Sequence, residues 1–167
     1  MLRLAVAAVL FLVINAISAR IRVEGFSMEP TLHDGELVIV NKLSYWFGEP
    51  QRGEIIQFRP PQNPDEPYIK RIIGLPGDRI RVINGEVYVN DERIDEPYIA
   101  AAPRYQSEWG VPEDSLFVLG DNRNNSSDSH SWGPVPMENV IGRALFVYWP
   151  PESWGAIGKP LVASAAP

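Results

Sequence analysis

Residues 4–19 form an uncharged, almost wholly apolar run broken only by Asn15 and Ser18; beyond it the chain alternates short apolar stretches with turns. A bilayer-crossing helix needs about 20 apolar residues, so this run predicts a membrane anchor that extends slightly toward Val23. A removed signal peptide fits less well. Met1 to Arg3 supply little basic charge, and Ile17 stands where a small residue is preferred for a cut after Ala19. Strands are expected over residues 36–41, 54–58, 68–74, 79–83, 86–90, 115–119 and 140–149. Asn84-Gly85 between two alternating stretches marks a tight hairpin. Residues 94–114, rich in Pro, Ala and Tyr, read as an irregular excursion, and no long helical period follows the anchor. The pattern predicts a mostly β fold after one N-terminal transmembrane helix. Its expected divisions are an anchor over 1–20, a β core over 21–79 and 115–155, an inserted hairpin and loop cap over 80–114, and a tail over 156–167.

Charge and composition narrow the chemistry. The net charge of −6, with no basic cluster, disfavours a nucleic-acid partner. With no cysteine there is no thiol nucleophile, disulfide framework or Cys-based zinc site. Only His33 and His130 could offer imidazole, so no metal or other cofactor is expected.

Three stretches carry candidate chemistry. In Gly25-Phe26-Ser27-Met28-Glu29-Pro30-Thr31-Leu32, a serine sits between a flexible glycine and a proline that stiffens the backbone, which suits a rigidly mounted nucleophile. In Tyr68-Ile69-Lys70-Arg71-Ile72-Ile73-Gly74, strand alternation places Lys70 on one face and Arg71 on the other, so one of the two cations must turn inward. Apolar neighbours would desolvate a buried Lys70, lower its pKa and free a neutral amine as a base. The loop from Gly120 to Ser129 is polar and lacks the glycine and glutamate of a calcium loop; a platform that orients catalytic groups remains.

Together these stretches resemble the signature boxes of type I signal peptidases, the Ser-Lys serine proteases of the bacterial leader peptidase family. Ser-Met-x-Pro-Thr-Leu stands at residues 27–32, Tyr-Ile-Lys-Arg-x-x-Gly-Leu-Pro-Gly-Asp at 68–78, and Gly-Asp-Asn-Arg-x-Asn-Ser-x-Asp-Ser at 120–129, in the family's order and behind an apolar segment. The resemblance implies a signal-peptidase-like complex β fold. It implies that Ser27 attacks the scissile bond and Lys70 acts as general base. Ser126 would orient Lys70, while Asp121, Arg123, Asp128 and Arg71 support the site, and the Ser27 N–H would donate to the oxyanion. Phe26, Met28 and Trp46 would line substrate pockets, dip into lipid, or belong to the core. The implied substrates are signal peptides of exported preproteins, cut after a small-residue motif such as Ala-x-Ala. The implied setting is a bacterial cytoplasmic membrane, with a monomeric, single-pass chain whose catalytic domain lies on the extracytoplasmic side; the charges flanking the apolar run do not themselves fix orientation.

Three positions depart from the common pattern. Gly25 replaces a hydroxyl residue that serves some members as a second oxyanion donor. Asn124 stands where many have Asp. His130 stands where many have Arg, which puts an ion pair with Asp128 in question. Other readings stay open at this level: a self-cleaving repressor, a Ser-His-Asp hydrolase using His33 or His130, and a non-catalytic module in which Ser27 and Lys70 lie far apart.

Overall fold

The computed structural model describes residues 2–158, so the expected tail, including Lys159, lies outside the described residues from position 159 onward. Helix α1 spans Leu2–Ile17. It passes directly into strand β1, Ser18–Arg22, and the Lys42 N–H donates to the Ile17 carbonyl at 2.9 Å where helix meets sheet. The helix stops short of the anchor expected over 1–20. Ser18, Ala19 and Arg20 pair with Asn41, Val40 and Ile39 rather than continuing the helix toward Val23. Among the described residues, no helix is long and apolar enough to cross a membrane. The sixteen residues of α1 rise roughly 24 Å, against a hydrocarbon core of about 30 Å. Leu4, Val9, Phe11 and Leu12 on it are nevertheless apolar and exposed.

The remaining strands are β2 (Leu37–Asn41), β3 (Ile55–Phe58), β4 (Tyr68–Gly74), β5 (Arg79–Ile83), β6 (Glu86–Val89), β7 (Glu92–Arg93), β8 (Ser107–Gly110), β9 (Ser115–Leu119), β10 (Val135–Pro136), β11 (Val140–Trp149) and β12 (Gly155–Ala156). A larger sheet runs in the order β1-β2-β11-β3-β4-β9-β10, with β12 beside β11, and a smaller one in the order β7-β6-β5-β8. The pairings are antiparallel and mostly non-local. The Asn84-Gly85 turn adopts positive φ at both residues, 52° and 81°, as a two-residue hairpin with the sheet's right-handed twist requires.

The sequence missed several pieces. The expected irregular stretch contains β8, which has one large apolar residue, Trp109, and is held by pairing with β5. A helical turn α2, Ser129–Trp132, closes the Gly120–Ser129 loop, capped by the Asp128 side chain accepting from the His130 N–H.

Strand β9 is buried on both faces, Phe117 and Leu119 joining one apolar cluster and Leu116 and Val118 another, and it ties the two sheets together. Phe117, fully buried, packs with Ile80, Val82 and Val87 of the smaller sheet, and its ring lies 5.1 Å from that of Trp109. Phe117→Ala should therefore cost about 3–5 kcal/mol of stability, read as a lower denaturant midpoint at unchanged slope.

Candidate active site

Ser27 sits in a tight loop that its neighbours hold from several sides. Gly25, at φ 78°, turns the chain, and its N–H donates to Asp34 Oδ1 at 2.8 Å. Met28 and Leu32 are fully buried in the cluster with Val38, Val40 and Ile55, plugging the loop into the sheet. Met28 thus belongs to the core and lines no open surface, whereas Phe26 and Trp46 are exposed. From the third box, the Asn122 N–H donates to the Ser27 carbonyl at 3.0 Å and Asn122 Nδ2 to the Phe26 carbonyl at 3.1 Å.

Strand β4 brings its lysine to this loop. Lys70 Nζ lies 2.8 Å from Ser27 Oγ and 3.0 Å from the Ile69 carbonyl oxygen. The side chain is 4% exposed. Desolvation lowers its pKa from 10.5 to about 8, against the opposing pull of the Asp128 and Asp121 carboxylates. In the neutral form, the Ser27 hydroxyl donates to Nζ while an amine hydrogen remains on Ile69. This contact excludes the reading in which the two residues lie far apart.

The alternation argument expected one of the adjacent cations to point inward, and both are buried. Arg71 occupies the opposite face and forms a two-pronged pair with Asp121, at 2.8 and 2.6 Å. It also donates to the Gly53 carbonyl, and its guanidinium lies 3.9 Å from the Tyr98 ring centroid. Arg123 is fully buried as well and meets Glu96 through two bonds of 2.6 and 2.5 Å. A buried ion pair is strongly destabilising to break, because the surviving charge has no solvent. Asp128 accepts from the Gly120 N–H at 2.8 Å and pairs with His130 Nδ1 at 2.6 Å, so His130 does engage this carboxylate.

Ser126 departs from its expected role. Its hydroxyl is buried without a protein hydrogen-bond partner, and Lys70 is oriented by Ser27 and Ile69 instead. Glu96 and Tyr98 were missed by the sequence reading. A buried arginine requires a carboxylate, but the 21 acidic residues gave no means of choosing among them.

Ser27 and Lys70 open onto a cleft of about 640 Å³. Its lining includes Ile21, Arg22 and Glu24 from the end of β1 and Pro67, Tyr68 and Ile69 from the start of β4. A larger cavity of about 750 Å³ is lined in part by Arg71 and includes neither Ser27 nor Lys70. His33 pairs with Glu36 at 3.4 Å. His130 Nε2 lies 3.2 Å from Ser131 Oγ, giving an Asp128–His130–Ser131 chain. None of its three members lines either of these cavities, whereas Ser27 and Lys70 both line the cleft.

Comparison with known proteins gives a consistent result. The family model described as "Signal peptidase, peptidase S26" matches residues 1–149. A signal peptidase I of Leptolyngbya laminosa is 50% identical over 144 residues, covering 80% of this chain and 70% of that one. A probable signal peptidase I-2 of Synechocystis sp. is 53% identical over 132 residues, covering 74% of this chain and 60% of its relative. The crystal structure of a signal peptidase I from Enterococcus faecalis V583 superposes with a TM-score of 0.54 at 32% identity, covering 57% of this chain and 97% of that one. Half the aligned positions shared with a signal peptidase I, and a family match running through all three boxes, place this mostly β chain in the signal peptidase family S26, a family of serine endopeptidases.

Proposed function

We propose that the chain removes N-terminal signal peptides from exported preproteins, cutting after small residues of the Ala-x-Ala type through an acyl-enzyme on Ser27. The observation that carries this reading is the 2.8 Å contact between Ser27 Oγ and a desolvated Lys70 amine. The neutral amine takes the hydroxyl proton as Oγ attacks the scissile carbonyl, and the resulting ammonium returns a proton to the departing amine. The amine then deprotonates the water that attacks the ester, releasing the acyl group and restoring Ser27. The Ser27 N–H donates to the oxyanion, a contact worth about 3 kcal/mol where one such donor has been removed. Gly25 offers no side chain as a second donor. Arg71–Asp121, Arg123–Glu96 and Asp128 stiffen the mount, and Phe26 lies beside the cleft. An extended substrate fits along the cleft, beside the end of β1 and the start of β4, where main-chain pairing supplies affinity and side-chain space supplies selectivity.

The division of labour follows. Residues 21–79 and 115–155 form the catalytic core and 80–114 an inserted cap. Helix α1, which exposes Leu4, Val9, Leu10, Phe11 and Leu12, seats the chain in a membrane with the core on the extracytoplasmic side, where exported preproteins emerge.

Two measurements on the full chain test this. With a preprotein substrate, replacing the alanine before the cut by leucine should lower kcat/KM by about 10²-fold or more, since small-residue pockets reject added bulk. Comparable cleavage of both substrates would remove the assigned specificity. The pH profile should rise tenfold per unit below about 8 and level off above it, as Lys70 loses its proton. A rise centred near the ordinary imidazole range, about 6.5, would move the base to a histidine.

A further inference from the structure

Asn124 and His130, two departures from the family's third box, face the same short segment. Asn124 Nδ2 donates to the Ala102 carbonyl at 2.9 Å and its Oδ1 accepts from the Arg104 N–H at 2.8 Å. The His130 ring stacks on Tyr105 at 4.1 Å, nearly parallel. This segment belongs to the excursion that returns from the smaller sheet, and the same excursion supplies Glu96 to Arg123 and Tyr98 to Arg71. The hairpin tip backs it: a Cβ built on Gly85 would lie 3.1 Å from Ala102 Cβ.

Three consecutive residues therefore grip in two directions. Asn122 holds the carbonyls of Phe26 and Ser27. Arg123 holds Glu96 and also donates to the Gly120 carbonyl at 3.2 Å. Asn124 holds both main-chain groups at 102 and 104. A turn locks the trio, the Asn125 N–H donating to the Asn122 carbonyl at 3.0 Å.

We infer that Asn122, Arg123 and Asn124 form a bridge through which the excursion from the smaller sheet fixes the main chain of Ser27, with Asn124 as its positioning residue. The inference rests on Ser27 being the nucleophile of the proposed peptidase. The amide explains the departure from aspartate. Its task is to accept from one backbone N–H and donate to one backbone carbonyl, and an ionised carboxylate only accepts. An aspartate here would face the Ala102 carbonyl oxygen without a hydrogen between them. The smaller sheet, which contributes neither Ser27 nor Lys70, thus becomes a determinant of where the hydroxyl sits.

Asn124 is exposed, so its replacement leaves no buried group stranded and the fold should survive. The test compares the full-length wild type, Asn124→Ala and Asn124→Asp in three assays: preprotein cleavage resolved into kcat and KM, acylation of Ser27 by p-nitrophenyl acetate, and thermal melting. Asn124→Ala should lower kcat about tenfold, the equivalent of two net hydrogen bonds, with KM within about twofold. Acylation by the small ester should fall by the same factor, because the nucleophile itself is displaced. Asn124→Asp should lose at least as much. The melting temperature should drop by less than about 5 °C, and the kinetic loss should persist well below it. Unchanged kcat, a loss confined to KM, or acylation at the wild-type rate would each overturn the bridge while leaving the peptidase reading intact. A wild-type chain that cleaves no preprotein would overturn both.

Discussion

Lys70→Met is expected to leave a folded chain whose preprotein cleavage falls at least about 10⁴-fold, the scale seen when a base acting as one unit with its nucleophile is removed. Methionine nearly matches the lysine stem in length and has no proton acceptor of use to Ser27. Stability should move the other way. The Lys70 amine is held near 8, against 10.5 for the free side chain, a gap equivalent to about 3 kcal/mol. Between those values the unfolded chain binds the proton and the folded chain does not, so the native wild type gains stability as pH climbs from about 8 to about 10.5. Below 8 the full burial cost of the ammonium is present. Methionine carries no such cost, so the variant should melt at or above the wild-type temperature at pH 7, with its relative advantage shrinking above pH 8. The Ile69 carbonyl, left without its amine donor, offsets part of the gain. Thermal melts at pH 6.5 and 9.5 beside cleavage assays give both readings. Cleavage within tenfold of wild type would exclude Lys70 as the base, and a large loss of melting temperature would mean the dyad supports the fold.

That opposition explains which parts of the molecule were legible in its sequence. The three boxes could be read because each is a local device: a serine beside a proline, a lysine among isoleucines, a polar loop after an apolar strand. The Asn84-Gly85 hairpin was legible for the same reason, its turn type following from two residues. What escaped depends on partners far along the chain. Strand β1 was hidden because Ser18 and Ala19 continue an apolar run, and only pairing with β2 makes them sheet. Strand β8 has little alternation of its own and exists through β5. Arg71 was expected to share its strand with one exposed neighbour, yet Asp121 and Tyr98 arrive from 50 and 27 positions downstream to bury it. Glu96 is the plainest case, since nothing in Ile94-Asp95-Glu96-Pro97 distinguishes it from the acid beside it.

The same logic shows why a protease can keep an exposed active site rigid. Ser27 itself is only partly covered, but its carbonyl is tied through the third box to buried groups. Its carbonyl reaches Asn122, that loop reaches Arg123, and Arg123 ends on Glu96 in the interior. The lysine stands between Tyr68 and Ile72 on a strand paired on both edges. Preorganisation of this kind places the cost of ordering in folding rather than in the reaction, which leaves substrate binding free to supply orientation.

Gly120→Ala should lower kcat by about 10²-fold or more, the loss that a displacement of about 1 Å produces in a catalytic constellation. Gly120 lies where β9 turns into the third box, against the Ser27 loop. A Cβ built there would overlap Ser126 Oγ and the Ser27 carbonyl oxygen and come within 2.7 Å of Ser126 Cβ. The Ser126 hydroxyl, which has no protein partner, can swing aside, but its Cβ and the Ser27 carbonyl remain in the way, and Gly120 itself is tied down. The Ser27 carbonyl is held by the Asn122 N–H, and the Gly120 N–H is held by Asp128. Relief must come from moving the Ser27 main chain or the loop that grips it, and either movement opens the contact between Oγ and Nζ. The fold should absorb the strain at about 1–3 kcal/mol, the usual cost of overpacking. Because the lysine keeps its surroundings, the pH at which activity rises should stay near 8 while the plateau falls. Gly110→Ala serves as the control, since a Cβ there meets nothing within 4 Å, and its rate should match the wild type. If Gly120→Ala cleaves within tenfold of wild type, the close approach of these two loops is not what holds Ser27 in place.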